Sequence, residues 1–328
     1  MLLHLCRRAL AGLITVLAAL LLCFALGQLT PGDAFSALEL DPSISARELA
    51  HLRAIYLPQE SLWHRFGAWL AGAVHGKLGI SLVSHRPVLS ILCPRAAASA
   101  ELLLLGLGGA WVLGLALALG PLWLGERGRW RWQHRLESIF HAVNALLTAL
   151  PLGVMAIVAL VWAPAAWLPG VAAAPAPWLP ALVLALAFLP TVYFQAAHAL
   201  AQVAESGFIA QGRANGLAPA RLVLVHALPN CSDVLVPVAS LTISQALVEL
   251  VILEPLLGWP GLGQLSITAA QSKDMPVLAA LVLLTSVVVI AANWVSEIGQ
   301  WLLNPQLRAR RRFQPRLAAA APAAGAEQ

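Results

Sequence analysis

Two carboxylates five positions apart, Glu249 and Glu254, interrupt a long uncharged run in the last third of the chain. Paired carboxylates do general acid–base work only when both reach one reacting centre. On a helix a spacing of five turns them toward different faces, which argues against such a pair. The other reactive side chains are as poorly placed for catalysis. His64, His75 and His85 lack the i,i+3 or i,i+4 pairing that would put two metal ligands on one helix face. Cys6, Cys23, Cys93 and Cys231 are scattered with no Cys-x-x-Cys, and read as small apolar fillers. Gly106, Gly108 and Gly109 sit inside an apolar run with no strand before them, so they form no phosphate cradle, and no P-loop occurs elsewhere. No catalytic residue, cofactor or metal site is expected.

The chemistry-poor residues are carried by an apolar frame. Of 328 residues 60% are apolar and only 11% charged, with a mean hydropathy of +0.79; a soluble domain carries about a quarter charged residues. The net charge of +5 resides in arginines beside apolar runs, which points to membrane topology rather than to nucleic acid. Six such runs, near 9–28, 99–124, 139–163, 179–203, 233–256 and 277–302, are each long enough to cross about 30 Å of hydrocarbon. In that layer the backbone must satisfy itself, so each run is expected as a helix despite internal valines and prolines. The expected fold is an all-α integral membrane protein with six transmembrane helices.

Arginines set the orientation. Arg7 and Arg8, then Arg127, Arg129, Arg131 and Arg135, then Arg213 and Arg221, and finally five in 308–316 fall on one side, thirteen in all. The two short segments opposite, 164–178 and 257–276, hold only Lys273. That bias places both termini in the cytoplasm. Ala25-Leu26-Gly27 looks like a signal cleavage site, but the first run is long for a signal peptide, and a retained helix is expected. The expected organisation is 1–28 as N-terminus and first span, 29–98 as an external helical subdomain, 99–303 as the core and 304–328 as a basic tail. In the subdomain one helix is expected after Ser43 or Ser45 and another over 61–76, stopped by Gly76.

One polar stretch, "GRANGLAPARLVLVHALPN" at 212–230, falls between spans four and five within a cytoplasmic loop at 204–232. Phe208 to Asn215 can form a short helix that Gly216 ends, and Pro219 suits the first turn of a second. The spacing around Gly216 resembles the cytoplasmic signature of type I ABC importer permeases: Glu-Ala-Ala, three residues, Gly, nine residues, Ile-x-Leu-Pro. Leu228-Pro229 falls in register, Ala210-Gln211-Gly212 occupies the first slot and His226 the isoleucine slot. Other stretches are similar to the dipeptide, oligopeptide and nickel branch, in its first-permease subunit. "GKLGISLVSHRPV" resembles its Gly-x-Leu-Gly-x-Ser segment, and "LEPLLGWPGLGQL" its external Glu-x-x-Phe-x-x-Pro-Gly-x-Gly loop, with Glu254, Pro260, Gly261 and Gly263 in register. "NPQLR" is similar to the closing Asp-Pro-x-x-Arg, with Asn304 in the Asp slot.

The resemblance implies a bacterial inner-membrane permease that works with a second permease, two cytoplasmic ATP-binding subunits, an external or lipid-anchored binding protein and membrane lipid, without nucleic acid. It implies that Phe208, Ala210, Gln211, Gly212, Arg213, Ala214, Asn215, Gly216 and Leu217, with Leu228 and Pro229, form the coupling element against an ATPase. The cargo stays open between di- or oligopeptides, a nickel or other metal chelate, an opine-like compound and an antimicrobial peptide. A secondary transporter is the alternative from another class; it would want inverted repeats and midplane ionisable pairs. Gln245 and Glu249 are the candidate pathway residues, although Glu249 also fits a carboxylate near the outer interface. His198, Asn144 and Gln245 are read as interhelical hydrogen-bond partners.

Overall fold

Backbone groups with no water to bond must bond each other, and the described residues do so almost wholly as helix. The structure is a computed structural model that describes residues 2–29, 47, 61–124, 142–162, 176–218 and 221–303. The first expected subdomain helix, the arginines of 127–135, Pro219, Asn304 and the basic tail lie outside the described residues. The elements are α1 (Leu2–Leu29), α2 (Leu62–Val74), α3 (Val88–Leu102), a π-helical turn (Leu103–Leu107) and α4 (Gly108–Leu124). They continue with α5 (Ala142–Ala149), α6 (Leu152–Trp162), α7 (Trp178–Ala204) and the short α8 (Gly207–Ala214). After a second π-turn (Leu222–Ala227) and a single turn at Leu228–Asn230 come α9 (Ser232–Leu256), α10 (Leu262–Gln271) and α11 (Met275–Leu303). Among the described residues the only extended pairing is an isolated bridge between Ile80 and Pro87.

Among the described residues five helices are long and apolar enough to cross a membrane, or six if α5 and α6 are one bent crossing. Two details differ from the sequence expectation. The second crossing begins at Val88 rather than near 99, so its first turns carry Arg95, Ser99 and Glu101. The third does not run through as one helix: Pro151 brings no N–H and crowds the preceding turn, and the chain breaks between Ala149 and Leu152. Proline also accounts for the second π-turn. The Pro229 ring would press on the carbonyl four residues back, and one wider turn over Leu222–Ala227 relieves it, with the Leu228 N–H reaching the Val223 carbonyl.

The chain divides into two compact units, and the long helices contribute to both. The first takes in Met1–Leu107, Pro151–Leu184 and Ser244–Ile290. In it Val16, Leu20 and Phe24 of α1 pack with Ala279 of α11 and with Phe66 and Trp69 of α2. The rings of Phe24 and Phe66 meet edge to face at 5.7 Å. A second cluster joins Val88 and Leu92 of α3 to Ala269 of α10 and Val277, Ala280 and Leu281 of α11. The loop before α3 is pinned there: Ser81 Oγ donates to the buried carboxylate of Asp274 at the start of α11. Helix α2 starts at Ser61, whose Oγ accepts from the His64 N–H, and ends with Gly76 at φ +76°.

The second unit takes in Gly108–Leu150, Ala185–Ile243 and Ala291–Gln328. Its core joins Ala118 of α4, Tyr193, Ala196, Ala199 and Leu200 of α7, Ile209 of α8, Leu222, Ala227 and Cys231 beyond it, and Leu235 of α9. Polar ties cross between helices: Trp111 Nε1 donates to Thr242 Oγ1 at 3.2 Å, and Ser240 Oγ to Asn293 Oδ1 at 2.7 Å. Helices α4 and α7 touch at a glycine. A Cβ on Gly114 would meet Val192 Cγ1 at 2.8 Å and the Tyr193 nitrogen at 3.2 Å. Gly114→Leu is therefore expected to destabilise the protein by about 1–3 kcal/mol. Thermal unfolding in detergent measures it, against Gly120→Ala, which meets nothing within 4 Å.

Candidate functional site

Helix α8 starts after Ser206, which adopts the extended conformation of an N-cap while its hydroxyl turns back to the Val203 carbonyl. It stops by a full glycine closure. Gly216 takes φ +72°, its N–H bonds the Arg213 carbonyl at 3.0 Å, and the Leu217 N–H reaches back to the Gly212 carbonyl at 3.2 Å. Ile209 and Gly212, one turn apart, form its buried face. A Cβ on Gly212 would meet Leu222 Cδ1 at 2.6 Å, so this glycine exists for close packing.

The expected coupling residues thus separate into two groups. Phe208, Ala210, Gln211, Arg213, Ala214, Asn215 and Gly216 are exposed, and Phe208 keeps 43% of its surface open. Gly212 is buried, while Leu217, Leu228 and Pro229 are half-buried, and both leucines pack against the core of the second unit. The outcome is a small outward platform bolted onto a core shared by α4, α7 and α9. Packed cores resist deformation, so a force on the platform is carried into those helices. His226 is half-buried, and its backbone carbonyl accepts from Asn230 Nδ2 at 2.6 Å.

Within the first unit, Glu254 is not in a loop but in the last turns of α9, and none of its surface is exposed. Its carboxylate accepts from Ser99 Oγ at 2.6 Å, the Gly263 N–H at 2.6 Å and the Gln264 N–H at 3.3 Å. The Leu262 N–H in turn donates to Ser99 Oγ at 2.7 Å. The first three N–H groups of α10, which no carbonyl in that helix can satisfy, are capped by residues of α9 and α3. A carboxylate also suits the positive end of the helix. Arg95 closes the cluster by donating to Gln264 Oε1 at 2.6 Å, and Trp259 Nε1 donates to the Ala98 carbonyl at 3.1 Å.

The glycines beside it are dictated by contact. A Cβ on Gly261 would overlap the Glu254 carboxylate, and one on Gly263 would overlap the Leu250 carbonyl. Gly258, at φ +67°, closes α9 and lets the Trp259 N–H return to the Glu254 carbonyl at 2.8 Å. Pro260 stands exposed at the tip. The spacing of Glu254, Gly261 and Gly263 therefore encodes a buried cap that ties three helices together. The partner Ser99, 155 residues earlier, carries no signal in the sequence.

The two candidate pathway residues lie one turn apart on α9, Gln245 exposed and Glu249 half-exposed, beside exposed Val248 and Ile252. Asn144 is buried as an interhelical residue would be. His198 departs from the expectation: it is exposed and bonds Gln202 of its own helix, Nε2 to Nε2 at 3.0 Å.

The described residues thus combine long apolar helices with the short exposed α8 standing between α7 and α9. The sequence model of the family described as "Binding-protein-dependent transport system inner membrane component" matches residues 105–309, and the chain belongs to that family. It is a multi-pass membrane protein and the permease subunit of an ABC importer, a component that acts with ATPase and other subunits. Among particular relatives, the glutathione transport system permease protein GsiC of Escherichia coli O6:H1 is 28% identical over 311 residues, covering 94% of this chain and 99% of the relative. GsiC of Shigella boydii serotype 4 is 27% identical with the same coverage. A solved structure of inward-facing conformations of the MetNI methionine ABC transporter shares the fold at TM-score 0.52 and 18% identity, covering 64% of this chain and 97% of that one.

Glu254→Ala removes the acceptor of two buried N–H groups, each costing about 1–3 kcal/mol when left unsatisfied. The variant is expected to unfold at lower temperature in detergent. Gly261→Ala is expected to shift the transition in the same direction by displacing the carboxylate.

Proposed function

We propose that this permease imports short peptides or amide-rich solutes of similar size, and that α8 is the surface on which a cytoplasmic ATPase subunit sits. The observation that carries the coupling role is the division of α8 into an exposed face bearing Phe208, Gln211, Arg213 and Asn215 and a buried face formed by Ile209 and Gly212. An aromatic and an arginine on a small exposed helix are the residue types that anchor protein interfaces. The cargo class is supported by relatives named for glutathione, a tripeptide, which align with nearly the whole chain. The chain has the arginine bias of a protein with both termini in the cytoplasm, which puts α8 on the side where ATP is.

In this reading the chain performs no covalent chemistry; its ATPase partners hydrolyse the nucleotide. Closure of two ATPase subunits draws α8 with it, and the shared core passes that movement to the inner parts of α4, α7 and α9. A second permease completes the pathway, Gln245 and Glu249 line part of it, and an external binding protein delivers the solute. The Glu254 cap holds α3, α9 and α10 as one piece, so the outer ends of those helices move together.

Gly216→Val tests the coupling role. A β-branched residue at a left-handed position costs about 1–2 kcal/mol or more, enough to unwind the end of an exposed eight-residue helix. The expected result is a permease that inserts normally but retains its ATPase subunits poorly on purification and loses ATP-dependent uptake of a labelled peptide in proteoliposomes. Normal retention and uptake would sink the assignment.

A further inference from the structure

Most exposed positions on the long helices are what lipid demands. On α1 they include Leu10, Leu13 and Ile14, and on α4 Val112, Leu113 and Leu117. Helix α7 breaks the pattern. Thr191, Gln195, His198 and Gln202 recur at i, i+4, i+7 and i+11, all four are exposed, and together they draw one polar line down a helix whose opposite face is buried. The Gln195 amide has no hydrogen-bond partner among the described residues, while His198 and Gln202 bond each other along the line. An amide facing hydrocarbon with no partner is strongly disfavoured, so this face cannot be a lipid face. The line covers about 16 Å of helix, roughly half the hydrocarbon thickness, and ends four residues before the N-cap of α8.

We propose that Thr191, Gln195, His198 and Gln202 form a wet, solute-facing wall of the translocation pathway, running along α7 toward the coupling helix and hydrogen-bonding the amide groups of the passing solute. The inference rests on the peptide-importer reading. The side chains suit it: primary amides, a hydroxyl and an imidazole both donate and accept, and none is a carboxylate or a guanidinium. Such a surface engages the N–H and C=O groups that every peptide repeats, whatever its side chains. It grips weakly enough to release cargo, because each bond replaces one to water.

The test uses the complete transporter, reconstituted with its ATPase subunits. Gln195→Cys is compared with Val161→Cys on the apolar exposed face of α6. A charged, water-soluble thiol reagent at neutral pH reads the difference. Both variants are made in a chain whose exposed Cys93 and half-buried Cys23 are replaced by serine. Background from Cys231 is small, since burial, reinforced by the neighbouring Asp233, pushes its thiol up to about 11. Modification at 195 is expected to be at least tenfold faster than at 161, and Gln195→Leu is expected to lower trialanine uptake at least fivefold while the ATPase subunits remain bound. Equal modification rates, crosslinking of Gln195→Cys to the second permease, or undiminished uptake by Gln195→Leu would each overturn the proposal. If the unsubstituted complex fails to take up trialanine, the peptide reading falls, and the relative modification rate at 195 still decides whether the line is wet.

Discussion

A peptide group inside hydrocarbon has nothing to bond but another peptide group, and that requirement governs most of what this chain does. Among the described residues it makes five long helices, even where they are rich in valine, a residue that favours strands in water. Prolines meet it in different ways: Pro94 and Pro190 sit inside helices that run on unbroken. Pro151 splits one expected crossing into α5 and α6, and Pro229 is accommodated by a π-turn rather than by a break. The difference lies in what surrounds them: the turn before Pro229 is held by Leu222, Ala227 and Cys231 in a packed core, so widening by one residue is easier than bending.

The same requirement reaches the helix ends. The first N–H groups of α10 need acceptors, and the structure supplies them from Glu254 and Ser99 rather than from a local cap. A buried carboxylate is tolerated because its oxygens meet three donors, and the donors are tolerated because the carboxylate is there. Each half would be a liability alone. The two glycines beside it follow from this arrangement, since any side chain at Gly261 or Gly263 would occupy space already taken by the carboxylate or by the α9 backbone.

At α8 the physical requirement is reversed. The outer residues of this helix are exposed, while Ile209 and Gly212 hold it against a packed core. Glycine serves both ends: Gly212 lets the helix approach Leu222 closely, and Gly216 closes it without a terminal side chain in the way. The exposed residues are then free to differ from those of other permeases, because the geometry of the platform does not depend on them. Ala210 stands where the acidic residue of that signature would be, and it lies on the exposed face, where the packing of the helix does not depend on it.

Apolar run length, arginine bias and the spacing of Gly216 from Leu228-Pro229 were legible in the sequence, because they report local needs: thickness to cross, charge to keep out of lipid, a turn to close. The helical period of Thr191, Gln195, His198 and Gln202 was equally visible, but not the side it faces. A polar stripe looks the same whether it bonds a neighbouring helix or lines water, and His198 was accordingly expected between helices. Nor could the sequence show that Glu254, at the end of an apolar run and in register with an external-loop motif, is enclosed. Its burial depends on Ser99 and on the end of α10, which meet it only when three helices pack. Local hydrogen bonding and hydrophobic length can be summed along a chain; which exposed face is dry, and which carboxylate is enclosed, depends on distant segments arriving at the same place.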